Sequence, residues 1–224
     1  MANRTQTRLS LLDSTFLRIE TSETPMHVGA LQIFSIPVGA STDFISQIVA
    51  EYRRPGPIAH PFNQVLLGGP VSKLTPTSRT TDDIDFEYHV RHIALPAPGG
   101  ERELGELVSH LHSVMLDRTR PLWTCHVIEG LDGNRFAVYV KMHHALTDGV
   151  NGMRLVGGAM ATEPDGVCRA AWREPVAAGG SAKKGGKGGQ AGGTPLYKWP
   201  FELAQGFTGL LRGRLGGEPV RVAF

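Results

Sequence analysis

Along the 224-residue chain, apolar positions alternate between helical and strand-like spacing. From Glu101 to Arg118 the residues Leu104, Leu107, Val108, Leu111, Val114 and Met115 recur at three- and four-residue steps, the period of one helix face. This predicts an amphipathic helix that must end before Pro121. A shorter helix is predicted from Ser10 to Glu20, with Ser10 as N-cap, Leu12, Phe16 and Ile19 on one face, and Pro25 as a breaker. His27 to Ile36 reads as a buried strand ended by Pro37. Ser41 or Thr42 then caps a helix in which Phe44, Ile45, Ile48 and Val49 share a face, until Arg54 and Pro55 stop it. Within the proline-scattered stretch from Gly56 to Pro98, Asp85 to Leu95 reads as a partly exposed strand.

Two further runs, Leu122 to Ile128 and Arg135 to Met142, flank Glu129-Gly130-Leu131-Asp132-Gly133-Asn134, whose turn formers predict a hairpin. If the second strand persists, His144 falls in register with Phe136, Val138, Val140 and Met142, and His143 with Ala137, Tyr139 and Lys141. The two histidines then face opposite ways. Val150, Met153 and Val156 suggest a Gly-rich helix starting near Asp148. The alternation of runs predicts an α/β domain: a mixed sheet of 27–36, 122–128 and 135–142 covered by helices over 42–52 and 101–118.

Beyond about residue 173 the pattern changes. GGSAKKGGKGGQAGG has almost nothing to bury and cannot offset the entropy of ordering its backbone, so it reads as a flexible linker. Its Gly and Lys do not meet the spacing of a phosphate-binding loop. Pro200, Phe201, Leu203, Ala204, Phe207, Leu210 and Leu211 then form an amphipathic helix followed by Arg212 and Arg214. The expected organisation is a domain over 1–173, a linker over 174–195, and a crossover helix with a truncated end over 196–224.

Composition narrows the function. The 23 Lys and Arg against 21 Asp and Glu leave a net charge of +2 with no basic stripe, which argues against nucleic acid as partner. No apolar run is long enough to span a membrane, and Arg8, Asp13 and Arg18 interrupt any signal-peptide core, so the expected address is the cytoplasm. Cys125 in a strand-like run and Cys168 in a polar loop are read as free thiols.

The chemistry concentrates in KMHHALTDGVNG, Lys141 to Gly152. As a general base, His144 could take a proton from an alcohol or thiol and hand it to a leaving group. Asp148 would pair with an arginine or cap the next helix, and so hold the loop that aims His144, while Gly149 removes a side chain where a turn or a substrate comes close. A metal site would need His144 and Asp148 on one helical face with a third ligand, whereas Thr147, Asp148 and Gly149 favour a turn; no metal is expected. The bland alternative is a strand end, an Asp N-cap and two incidental histidines. His27, His60, His89, His92, His110, His112 and His126 are read as structural or solvent-exposed.

HHALTDG also matches the HHxxxDG signature of acyl-CoA-dependent acyltransferases that share the chloramphenicol acetyltransferase and peptide-synthetase condensation fold. LSLLDSTFLRIETSETPMHVGALQIF, DFEYHVRHIALPAPG and LDRTRPLW resemble the bacterial wax ester synthase and diacylglycerol acyltransferase family, especially its actinobacterial members. The likeness runs from Leu9 to about Val156. It implies transfer of a long-chain fatty acyl group from acyl-CoA, a co-substrate with no separate cofactor, to diacylglycerol or a fatty alcohol. By the same resemblance His144 is the general base, His143 its supporting neighbour, Asp148 and Gly149 shape the loop, and Pro121, Leu122 and Trp123 form an element beside the acyl channel, with Trp123 as plain core an equal reading. Family members carry a second domain, and the histidine lies in a tunnel between the two. The resemblance thus implies a chloramphenicol acetyltransferase-like N-terminal domain whose second domain is missing. A separately encoded C-terminal half or self-association would complete it, at a peripheral membrane or lipid-droplet surface. The alternatives are an inactive remnant that binds a lipid surface or a partner, and an acyltransferase of the same fold using an amine or a short acyl chain.

Overall fold

A computed structural model describes residues 6–67, 76–147, 149–160, 169–173 and 222–223. The expected linker over 174–195, the helix from Pro200, Cys168 and Asp148 lie outside the described residues.

The predicted hairpin is the centre of the fold. Strands β6 (Trp123–Leu131) and β7 (Arg135–His143) pair antiparallel from Trp123↔Met142 to Ile128↔Ala137, with a register shift before Leu131↔Arg135. Gly130, Gly133 and Asn134 adopt positive φ in the connection, as a tight return requires. On the other side of β7 lies β2 (His27–Ser35), antiparallel along its whole length from His27↔His143 to Ser35↔Arg135. β5 (Val90–Ala94) runs parallel to β6, and β8 (Val222–Ala223) adds to β2, giving the mixed order β5-β6-β7-β2-β8. A small second sheet, β1-β4-β3, joins β1 (Gln6–Arg8), β4 (Thr77–Thr80) and β3 (Gln64–Leu66).

Because side chains alternate along a strand, β7 serves two cores. Phe136, Val138, Val140 and Met142 join Trp123, Cys125 and Val127 against Ile45 and Val49 of α2 (Phe44–Arg53). Ala137 and Tyr139 pack with Ile128 against Leu104, Leu107 and Leu111 of α4 (Glu101–Ser113). A third cluster, Leu17, Leu116, Leu122 and Ala145, ties α1 (Leu11–Ile19) to the end of the hairpin. Cys125 is a buried free thiol whose pKa burial pushes up. Among the described residues no helix is long and apolar enough to cross a membrane.

Several boundaries differ from the sequence expectation, each for a local reason. α2 starts at Phe44 with Asp43 as N-cap, and neither Ser41 nor Thr42 holds that position. The segment 85–95 is not one strand: Asp85 accepts a hydrogen bond from Tyr88 N and caps a single helical turn, α3 (Phe86–His89), before β5 begins. α4 ends at Ser113 instead of reaching Arg118. There the Lys141 ammonium donates to the Leu111 and Val114 carbonyls at 2.6 and 2.5 Å, and His27 Nε2 donates to the His112 carbonyl at 2.5 Å. Sheet side chains thus occupy the carbonyls that a continuing helix would use, and Val114 turns extended and exposed. Burial lowers the Lys141 pKa to about 8. α1 is capped by Ser10 as expected, yet its buried residues are Ser14 and Leu17, while Leu12 and Ile19 face outward at 59% and 50% exposure. α5 (Gly149–Gly158) follows the histidine motif.

Gly29 of β2 is required by close approach: a Cβ there would lie 2.5 Å from Tyr139 Oη, which shares a 2.6 Å hydrogen bond with His112 Nδ1. Three histidines are buried with their pKa lowered by desolvation to about 4: His27, His126, and His89, which donates to the Trp123 carbonyl at 2.8 Å and stacks on the Trp123 ring. A lowered folded-state pKa means that the unfolded chain binds protons more readily, so this stability is present above the ordinary histidine pKa and is lost as pH falls below it. From pH 7 to pH 5 each such histidine should cost about 2 kcal/mol of folding stability. Thermal melts at pH 7, 6 and 5 should therefore fall steeply, whereas a flat profile would contradict neutral burial of these rings.

Candidate active site

β7 ends at His143, and the next three residues form a tight turn in which every amide is engaged. His143 N donates to the Leu122 carbonyl at 3.0 Å and His144 N to the Met26 carbonyl at 2.9 Å. Ala145 N donates to His143 Nδ1 and Leu146 N to the His143 carbonyl, both at 2.9 Å. His144 therefore leaves the strand and does not continue the Phe136-to-Met142 register. The histidines occupy separate environments: His143 is fully buried, while His144 is half-buried with its ring stacked on Phe16 at 4.8 Å.

His143 Nδ1 accepts from Ala145, so the proton of the neutral ring sits on Nε2, which lies 3.3 Å from Glu20 Oε1. The spacing is long for a hydrogen bond, and the contact acts mainly as an electrostatic one. Glu20 is itself buried at the C-terminal end of α1. Its Oε1 accepts from Met26 N at 3.0 Å, and its Oε2 accepts from Arg118 Nη2 at 2.8 Å and Nε at 3.3 Å. Arg118 also donates to the Leu17 carbonyl at 2.7 Å. Burial works to raise the Glu20 carboxyl, but Arg118, the Met26 N–H and His143 outweigh it and hold its pKa below the ordinary value. Burial lowers the pKa of His143 by more than the Glu20 charge raises it. The pair is best described as an ionised carboxylate beside a neutral imidazole.

Beneath this turn sits the Pro121-Leu122-Trp123 element, all three residues buried. Leu122 contributes to the cluster with Leu17, Leu116 and Ala145. Trp123 donates through Nε1 to the Phe62 carbonyl at 2.8 Å and stacks between His89 and Trp172. In this domain both side chains support the turn and offer no free surface. Gly149 opens α5 just beyond, and Asp148 is outside the described residues. An open cavity of about 350 Å³ adjoins the turn, lined by His60, Pro61, Leu146, Thr147, Asn151 and Arg154 among others. Among the described residues no cluster of His, Cys, Asp and Glu could hold a metal.

Sequence reasoning singled out the histidines but passed over Glu20, Met26 and Arg118. Glu20 and Arg118 are 98 positions apart, and at the polar end of a short helix Glu20 reads as solvated. The nearest signal was their presence inside the two family-like stretches, ETSETPMH and LDRTRPLW.

The different burial of the two rings has a direct chemical readout. Limited treatment of the native protein with diethylpyrocarbonate, mapped by mass spectrometry, should modify His144 and spare His143 until the protein is denatured. The reverse order would contradict the geometry.

Comparison with known proteins gives this arrangement its context. A family model described as the wax ester synthase/diacylglycerol acyltransferase catalytic domain matches residues 9–212. A Mycobacterium tuberculosis protein named as a diacylglycerol O-acyltransferase is 47% identical over 169 residues, 73% of this chain and 37% of the relative. The O-acyltransferase WSD of Acinetobacter baylyi is 47% identical over 146 residues, 65% of this chain and 30% of the relative. Among solved structures, the wax ester synthase/diacylglycerol acyltransferase of Marinobacter aquaeolei VT8 superposes with a TM-score of 0.70 at 40% identity, over 79% of this chain and 42% of that one. A condensation domain of the calcium-dependent antibiotic synthetase, at 15% identity and TM-score 0.50, shares the fold. The chain spans just over a third of the length of the mycobacterial relative. With most of its residues under the family model and relatives alike at nearly half of the aligned positions, the chain belongs to the wax ester synthase/diacylglycerol acyltransferase family.

Proposed function

We propose that this domain supplies the base of an O-acyl transfer reaction, moving a long-chain fatty acyl group from acyl-CoA to diacylglycerol or a fatty alcohol. The observation that carries this reading is the contrast between the two histidines: His143 is sealed, with Nδ1 hydrogen-bonded and Nε2 facing the Glu20 carboxylate, while the His144 ring is half-buried on a turn whose amides are all held. A general base must reach a substrate proton and must not wander.

In the proposed reaction the imidazole of His144 takes the proton of the acceptor hydroxyl as its oxygen attacks the thioester carbonyl carbon. The tetrahedral intermediate collapses, the C–S bond breaks, and the proton passes to the departing thiolate to give free coenzyme A. The ester is triacylglycerol or wax ester, according to the acceptor. No metal or cofactor enters this scheme. His143 acts behind His144, and Asp148 and Gly149 shape the loop that follows. Pro121, Leu122 and Trp123 form the packed floor of the site. Donors for the oxyanion and the rest of the enclosure come from beyond this domain, from a part that corresponds to the remaining length of the relatives or from a second copy. Substrates of this kind partition to membranes and droplets, so the working place is a peripheral lipid surface.

The test follows thiol release from palmitoyl-CoA with diacylglycerol or hexadecanol. It uses the chain alone and the chain mixed with the part of the Mycobacterium tuberculosis relative that lies beyond the aligned segment. Transfer should rise sharply in the mixture, and His144→Ala should lower it by about 10²- to 10⁴-fold while the melting temperature holds. His143→Ala should act mainly through stability. Full transfer by the His144→Ala variant would remove the proposed base.

A further inference from the structure

We propose that Glu20 is a positioning residue for His144, a buried carboxylate that backs both supports of the histidine turn, as hydrogen-bond acceptor to the Met26 backbone and as the charge facing the His143 ring. The inference rests on the reading of His144 as the base.

Two of the turn's amide bonds lead directly to Glu20. His144 N is held by the Met26 carbonyl, and the amide of that same Met26 donates to Glu20 Oε1. Ala145 N is held by His143 Nδ1, and the opposite nitrogen of that ring faces the same Oε1. One oxygen thus sits behind both neighbours of the reactive ring, and the second oxygen is taken by Arg118. The groups around the carboxylate are all donors: a backbone N–H, an imidazole N–H and a guanidinium. Arg118 is 41% exposed, whereas Glu20 and His143 are sealed. Loss of the ion pair can therefore be eased by water around Arg118. Loss of the carboxylate leaves the buried Met26 N–H without a partner and removes the charge that faces His143 Nε2, and the turn must move to compensate. Holding a side chain in place through a partner one step removed matters because a misplacement of about 1 Å costs on the order of 10²-fold in rate.

This separates two roles for the same side chain. If Glu20 acts only as the ion partner of Arg118, Glu20→Gln and Glu20→Ala should be equally harmful and should follow the melting temperature. If it acts as the acceptor, Glu20→Gln keeps one oxygen toward Met26 and His143 and should retain most of kcat despite a lower melting temperature. Glu20→Ala should lose about 10²-fold in kcat with KM little changed. Should Glu20→Ala not fold, Glu20→Met fills the space without a strong acceptor and carries the same comparison. Amide hydrogen exchange in the 224-residue chain reads the same distinction without turnover. Met26, His144 and Ala145 should exchange faster in Glu20→Ala or Glu20→Met, but not in Glu20→Gln, relative to a core amide such as Val127. Equal exchange in all variants, or equal loss of kcat in Glu20→Gln and Glu20→Ala, overturns the proposal. Absence of transfer by the wild-type chain under every condition would instead overturn the acyl-transfer reading, with the exchange pattern still deciding whether Glu20 holds the turn.

Discussion

A carboxylate removed from water must be matched by donors on every side, and that requirement at Glu20 organises the histidine end of this domain. The groups that meet it come from three places in the chain, the residue before β2, the loop after α4 and the last residue of β7, and they converge on the end of α1. Removing the hydrogen bonds from Met26 or Arg118 costs more than a typical net hydrogen bond gains, and the His143 ring faces the same charge, so these segments and the end of α1 are tied to one another. An apolar residue in place of Glu20 could fill the volume. It could not hold an amide and an imidazole in fixed directions, which a turn carrying a reactive side chain requires.

The sheet delivers these groups in register. His27 and His143 are cross-strand partners, and Gly29 opposes Lys141 two residues along. Through that pairing, β2 and β7 together place His27 and Lys141 under the last turn of α4 and end the helix by occupying its carbonyls. A slip of one residue between the strands would send Lys141 and His143 to the face of Phe136 and Val138. The apolar alternation on β7 guards against that slip, so the same pattern that forms the core also fixes the site.

Much of this was legible in the chain. The hairpin, β2, the start of α1 and the identity of HHALTDG as the chemically charged segment follow from period, turn residues and motif. The end of α4 was not legible, because an apolar period continues through Val114 and Met115 and the ending depends on a lysine contributed from β7. The orientation of α1 was missed for a related reason: Leu12, Phe16 and Ile19 form a convincing apolar face, yet burial of Ser14 and Leu17 turns Leu12 and Ile19 outward and leaves Phe16 half-buried against His144. Nor could local spacing reveal Glu20, since its burial exists only once Arg118 and His143 have been brought to it. Periodicity reports what an element prefers, while buried polar partners are properties of the assembled chain.

The contact between Gly29 and Tyr139 constrains how the family's sequences can vary. With the phenol occupying the space of a Cβ, position 29 can gain a side chain only if position 139 gives up its aromatic ring. That ring shares a hydrogen bond with His112, so the exchange would also release a partner on α4. Positions 29, 112 and 139 should therefore change together across homologues, as a linked set of three whose members sit on two adjacent strands and the helix that covers them.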